Sequence, residues 1–198
     1  MIAIIDYGMG NLRSVQKAFE KVGAKARITQ NVQDIKMADK VVLPGVGAMQ
    51  PAMSKLKELG LIEGIQNAIN QKKPFLGICL GFQLLFEKSD EGGEVKGLGV
   101  WPGQVKRFAS LKVPHMGWNQ LQIKKDCPLF KGISDQSNVY FCHSYYVNPK
   151  NKNVAATTTD YGISFVSAGC QDHIFGVQFH PEKSQTVGLK ILENFFKL

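Results

Sequence analysis

Arginine is scarce. Of 24 basic residues only Arg13, Arg27 and Arg107 carry a guanidinium, and the lysines are scattered along the 198 residues. The formal charge of +8 therefore lacks the clustered, arginine-bearing stripe that reads phosphates and bases, and nucleic acid is not expected as a partner. Long apolar runs are also missing: no stretch of eighteen or so uncharged residues predicts a membrane-spanning helix. The sequence opens on the strand-like Ile2-Ala3-Ile4-Ile5 rather than a basic leader with a cleavage site, and a cytoplasmic chain is expected. The four cysteines (Cys79, Cys127, Cys142 and Cys170) form no C-x-x-C pair and share no metal-type spacing with histidine. Neither a disulfide framework nor a metal site is expected, and free thiols fit a reducing compartment. No repeat, low-complexity tract or linker divides the chain, so one domain over residues 1–198 is predicted.

The pattern that is present is one of short apolar strands alternating with amphipathic helices. Ile2 to Ile5 ends at Asp6-Tyr7-Gly8-Met9-Gly10, after which Leu12, Val15, Phe19 and Val22 recur at helical spacing. Ala24 to Ile28 reads as a strand, Lys40 to Leu43 as a buried strand closed by Pro44-Gly45, and Leu61, Ile65, Ala68 and Ile69 as one helix face. Phe75 to Ile78 is a further buried strand. Such alternation implies parallel pairing through right-handed crossovers, an α/β fold with helices on both faces of a mostly parallel sheet. From about Val100 the texture changes to β-branched and aromatic runs: Val105–Phe108, Leu121–Ile123, Val139–Cys142, Val154–Thr159, Phe165–Ala168 and Ile174–Phe179. Additional strands are predicted there, and Val187, Ile191, Leu192, Phe195 and Phe196 predict a C-terminal helix over the sheet.

Two segments carry chemistry. Gly77-Ile78-Cys79-Leu80-Gly81 places a cysteine at a strand-to-helix corner with glycine two residues to either side. Glycines permit close backbone approach while the nucleophile is held at the strand's carboxyl end, where open α/β sheets bind ligands. N–H groups at the start of the following helix favour thiolate and a developing oxyanion. Alone, the pattern fits a buried structural cysteine equally well. Near the other end, Gln178-Phe179 runs into His180-Pro181-Glu182, and Pro181 stops the ladder so that His180 stands at a strand end. An acid two residues after a histidine can fix the imidazole tautomer and leave the other nitrogen for proton transfer. By itself this is more often a surface turn; together with the cysteine corner it completes the constellation that covalent acyl transfer needs. His115 and His143 sit in apolar stretches that suit a structural role, and His173 lies in a turn.

Gly77-Ile78-Cys79-Leu80-Gly81-x-Gln83 with Gln178-Phe179-His180-Pro181-Glu182 resembles the class I, triad-type glutamine amidotransferases. Asp6-Tyr7-Gly8-Met9-Gly10-Asn11-Leu12, Pro44-Gly45-Val46-Gly47-Ala48, Pro114-His115-Met116-Gly117-Trp118-Asn119 and Tyr140-Phe141-Cys142-His143-Ser144-Tyr145 are similar to one branch of that class, the HisH glutaminase subunits of imidazole glycerol phosphate synthases. The resemblance implies a flavodoxin-like sandwich with Cys79 as nucleophile, His180 as base and acid, and Glu182 as its orienter. It implies that Gly47, Gln83, Ser144 and Tyr145 contact glutamine. The Leu80 N–H and one from Gly45-Val46-Gly47 would form the oxyanion hole, on a loop that in the family can rest in an unproductive orientation. Asn11, Pro114, Met116, Trp118 and Lys183 fall where the family docks on its partner, the HisF cyclase barrel. Phe82 stands where methionine is expected and Met49 where an aromatic is expected.

The chemistry so implied is attack of the Cys79 thiolate on the glutamine amide, a γ-glutamyl thioester with loss of ammonia, and hydrolysis to glutamate, without cofactor or metal. Ammonia protonates in neutral water, so the acceptor must be reached by a sealed route, and the acceptor is expected on another chain. Two alternatives remain open: a paralogue feeding another acceptor, such as an amidino-sugar synthase, and a non-catalytic flavodoxin-like module.

Overall fold

The computed structural model describes residues 1–109 and 111–198. Its first half alternates strand and helix: β1 (Ile2–Ile5), α1 (Leu12–Lys21), β2 (Ala26–Thr29), α2 (Val32–Met37), β3 (Lys40–Gly45), α3 (Met49–Glu58), α4 (Leu61–Asn70), β4 (Phe75–Cys79) and α5 (Leu80–Leu84). Of these, α2 and α3 add to the elements that the apolar pattern predicts. The second half is built from β5 (Phe86–Ser89), β6 (Val95–Lys96), β7 (Trp101–Arg107), β8 (His115–Gln120), β9 (Gln122–Ile123), β10 (Asn138–His143), β11 (Tyr145–Pro149), β12 (Ala155–Asp160), β13 (Ser164–Gln171) and β14 (Ile174–Val177), then α6 (Gln185–Lys197).

The main sheet runs β2-β1-β3-β4-β14-β13-β11-β7-β5-β6. Its first five strands pair in parallel, and the pairs β14–β13, β13–β11 and β11–β7 are antiparallel. A separate two-stranded sheet joins β8 to β10. Helices cover both faces, as expected. On one, Val15 and Phe19 of α1 and Ile191, Leu192 and Phe195 of α6 pack over Ile4, Val42 and Ile78. On the other, Ile35 of α2, Leu56 of α3 and Ile65 of α4 pack over Ala3, Val41 and Leu43. Burying each such aliphatic or aromatic side chain stabilises the fold by about 1.5–3 kcal/mol. The inner parallel strands β1, β4 and β14 are buried on both sides, which is why they read as unbroken apolar runs.

The β8–β10 pair reverses the usual polarity. Its inward side chains include His115 and His143, register partners that are 4% and 6% exposed, while Met116 and Trp118 point outward at 61% and 49%. The two rings form part of a directional string. Asn119 Oδ1 accepts the Gln120 N–H at 2.8 Å, so Asn119 Nδ2 is the donor to the Asp160 carbonyl at 2.8 Å and to His115 Nε2 at 3.2 Å. His115 Nδ1–H then donates to His143 Nε2 at 2.9 Å, and His143 Nδ1–H to the Tyr145 carbonyl at 2.8 Å. Every nitrogen is used with both rings neutral, and one added proton would leave two donors facing each other.

Burial pushes His115 down to about 4. Burial, against the help of the Tyr145 carbonyl, and with the nearby His115 and His180, pushes His143 down to about 3. Unfolded, both titrate near 6.5. The unfolded chain therefore binds protons that the fold refuses, and stability present above 6.5 is lost as the pH falls toward 4. Denaturant titrations should show unfolding free energy falling from about pH 6.5 downward, before carboxylates titrate, by up to about 1.4 kcal/mol per pH unit per histidine. A flat profile between about pH 6.5 and 5 would mean that both rings take up protons without cost.

Candidate active site

Cys79 ends β4 with φ at 54° and ψ at −107°, a conformation that side chains other than glycine rarely adopt. The flanking glycines explain how it is held. A Cβ on Gly81 would overlap the Leu43 carbonyl of β3, and one on Gly77 would lie 2.6 Å from the Gly81 carbonyl oxygen and 2.8 Å from the Phe82 nitrogen. The corner thus folds tightly against β3 only because both positions lack a side chain. The helix that follows is a single turn, α5, so the Leu80 N–H beside the sulfur has no intrahelical acceptor, but a long aligned dipole is not behind it. Phe82, the residue found in place of methionine, fills space left by Gly169 and Gly176 and meets Phe86 and Trp101 edge-on at 5.7 and 6.0 Å.

Parallel register brings the other chemical groups to the same end of the sheet. Gly45 lies opposite Cys79 on β3, and Val177 lies opposite Ile78 on β14. Continuing from β14, the chain reaches His180, whose Nδ1 is 2.9 Å from Glu182 Oε1, with the two side chains 4% and 2% exposed. The turn Pro181–Lys183 is fastened by Ser184, whose hydroxyl donates to the His180 carbonyl at 2.7 Å and accepts the Tyr140 N–H at 3.0 Å. Burial opposes a charged imidazole here, but interaction with Cys79 and then with Glu182 outweighs it and pushes His180 up to about 10. The ring is poised to hold a proton beside the sulfur.

Cys79 and His180 open on one cleft of about 270 Å³, on the scale of a small metabolite. Val46, Gly47, Leu80, Gln83, Ser144 and Tyr145 line it. Gly45 stands behind the wall rather than in it: a Cβ there would overlap the Tyr7 hydroxyl. Its glycine therefore answers to packing, whereas Gly47, with φ at 95°, answers to backbone conformation. Met49 is fully buried next to this loop at the start of α3. Of the residues expected at a partner face, Pro114 and Lys183 reach the rim of the cleft. Trp118 packs edge-on to Tyr140 at 6.0 Å, over which Lys183 Nζ lies at 5.7 Å. Met116 is exposed on the same strand, and Asn11 is exposed at the start of α1, which touches the Pro181–Lys183 turn.

Three polar side chains at the site were given no role by the sequence. Glu91, in the β5–β6 loop, lines the cleft and accepts the Met49 N–H at 2.8 Å. Tyr7 is fully buried with its hydroxyl unpartnered, and burial and then the Cys79 charge raise its pKa. Gln178, also fully buried, touches the sulfur. Among the described residues no group of three or more His, Cys, Asp or Glu is arranged to hold a metal ion, and no helix is long and apolar enough to cross a membrane.

Known proteins resemble the chain over its whole length. The chain is 53% identical over 203 residues to a protein of Syntrophotalea carbinolica named imidazole glycerol phosphate synthase subunit HisH, covering 98% of each chain. It is 54% identical over 202 residues to HisH 1 of Campylobacter jejuni, covering the whole of both. A crystal structure of a glutamine amidotransferase superposes with a TM-score of 0.79 at 16% identity, covering 100% of this chain and 98% of that one, which bears on the fold alone. Residues 3–198 match the family described as glutamine amidotransferase class-I, and the chain belongs to that family.

Proposed function

We propose that the chain is the glutaminase subunit of an imidazole glycerol phosphate synthase, a single cytoplasmic catalytic domain over residues 1–198 that delivers ammonia to a HisF-type cyclase. The observation that carries this reading is the convergence of Cys79 with the buried His180–Glu182 pair on one cleft. Glu182 holds His180 Nδ1–H, so the other ring nitrogen takes the proton of Cys79 and the thiolate attacks the glutamine amide carbon. The oxyanion forms beside the Leu80 N–H and the Gly45-Val46-Gly47 backbone. When the sulfur bonds to the amide carbon its negative charge passes to the oxyanion, and part of what keeps His180 protonated goes with it. The imidazolium becomes a stronger acid at the moment ammonia must leave as a neutral amine. Neutral again, it activates the water that hydrolyses the thioester to glutamate.

Substrate recognition follows from charge. Gln83, Ser144 and Tyr145 offer polar groups along the cleft, and Glu91 is the lining carboxylate not engaged with His180, suited to the glutamine α-ammonium. Asn11, Pro114, Met116, Trp118 and Lys183 are the docking residues for the cyclase. The exposed Met116 and Trp118 and the rim position of Pro114 and Lys183 support this, because a partner seated there would cover the cleft mouth.

Replacement Cys79→Ala should lower glutamine-dependent synthesis by the complex at least about 1,000-fold and leave ammonia-dependent synthesis unchanged. Loss of both together, in paired assays, would make Cys79 structural. Glu91→Gln keeps an oxygen to accept the Met49 N–H but removes the charge. KM for glutamine should rise about tenfold with kcat little altered, and an unchanged KM in steady-state assays would free Glu91 from substrate binding.

A further inference from the structure

We infer that Gln178 is a positioning residue for the Cys79 sulfur: its carboxamide, locked in one orientation by Gln83, donates an N–H to Sγ and holds the thiolate where it must attack. The inference rests on the reading of Cys79 as nucleophile. Gln178 directly follows β14, where its backbone N–H donates to the Ser167 carbonyl at 2.9 Å, and it is fully buried. Buried this way, its amide cannot exchange partners with solvent, so the neighbours alone decide which end faces the sulfur.

They decide it without ambiguity. The Tyr145 carbonyl can only accept, so the group 3.0 Å from it must be the Gln83 NH2. The second hydrogen of that NH2 is directed at Gln178, 3.0 Å away, which fixes the near atom there as Oε1. Gln178 then has its NH2 on the far side, and that nitrogen lies 3.8 Å from Cys79 Sγ. The opposite orientation would set NH2 against NH2 at one end and, once the sulfur is ionised, a carbonyl oxygen against the thiolate at the other, repulsive at both ends. The Cys142 carbonyl, 3.9 Å from the sulfur, can only accept and suits the neutral thiol. The Gln178 N–H is complementary: it favours the ionised sulfur and keeps it aligned after its proton moves to His180. Gln83 therefore serves twice, lining the cleft and orienting Gln178 with its nitrogen.

The test is the pH profile of Cys79 alkylation by iodoacetamide in the full chain, read by mass spectrometry of the Cys79 peptide, beside steady-state glutaminase kinetics. Gln178→Glu retains an oxygen for Gln83 but turns the sulfur contact from donor to acceptor. The alkylation midpoint should move up by about one pH unit or more and kcat should fall about 10- to 100-fold, with KM for glutamine changed far less. Gln178→Met removes the donor without adding charge and should move the midpoint in the same direction by a smaller amount. It decides the matter if the glutamate variant does not fold. A folded variant, shown by an unaltered circular dichroism spectrum, that keeps the parent's alkylation profile overturns the inference. If instead the parent's Cys79 resists alkylation and Cys79→Ala retains glutaminase activity, the nucleophile assignment is what fails.

Discussion

The contact on which the site depends is the approach of the Gly81 backbone to the Leu43 carbonyl of β3. No side chain fits between them, so the chain leaving β4 turns directly over the end of its neighbour. Cys79 must then take φ at 54° to connect strand and turn. A residue held in that region costs on the order of 1–3 kcal/mol, which the buried parallel strands around it offset. The strain has a geometric result: the sulfur is lifted out of the strand's own alternation and presented beyond the carboxyl end of the sheet.

Everything else reaches that point through parallel register. β3 and β14 flank β4, so their carboxyl ends lie beside Cys79, and residues far apart in sequence meet at one edge. The loop after β3 brings Val46 and Gly47 to the cleft, and the segment after β14 brings the imidazole. Open α/β sheets bind ligands at such an edge because the strand ends leave a crevice there. The antiparallel second half serves the opposite end of the requirement. β10 and β11 meet at Ser144, walling the cleft with Cys142, His143 and Tyr145, and Ser184 ties β10 to the His180 turn.

Sequence made the chemistry legible where it is written in local constraints. Glycine beside Cys79 and proline after His180 leave few backbone paths, and the two-residue offset of Glu182 suffices to place its carboxylate on the ring. The buried parallel strands were legible as apolar runs. The sequence did not announce α2, α3, β5, β6, β8 or β11, because their faces are mixed. β8 hides a histidine and exposes methionine and tryptophan, so its pattern is inverted. Gln178 and Tyr7 stand in motifs that carry the resemblance, but their roles, like that of Glu91, were illegible for another reason: each role is acquired only from side chains across the fold, and a glutamine after a strand, a tyrosine in a turn and a glutamate in a loop have no periodicity of their own.

That inversion of polarity at β8 has a physical sense on the proposed function. The interior of the β8–β10 pair is a string of hydrogen bonds from Asn119 through His115 and His143 to the Tyr145 carbonyl, where it meets Gln83 and, through Gln178, the sulfur. Such a string is rigid because each donor has one acceptor available, and it stays neutral because burial depresses both imidazoles. The apolar groups displaced from the interior lie outside, on the strand that follows Pro114 at the cleft, where water is a poor neighbour for them. Covering Met116 and Trp118 with a partner would remove that cost and close the cleft in the same step. Ammonia set free there would then leave toward the covering subunit rather than into solvent, where a proton would end its use as a nucleophile.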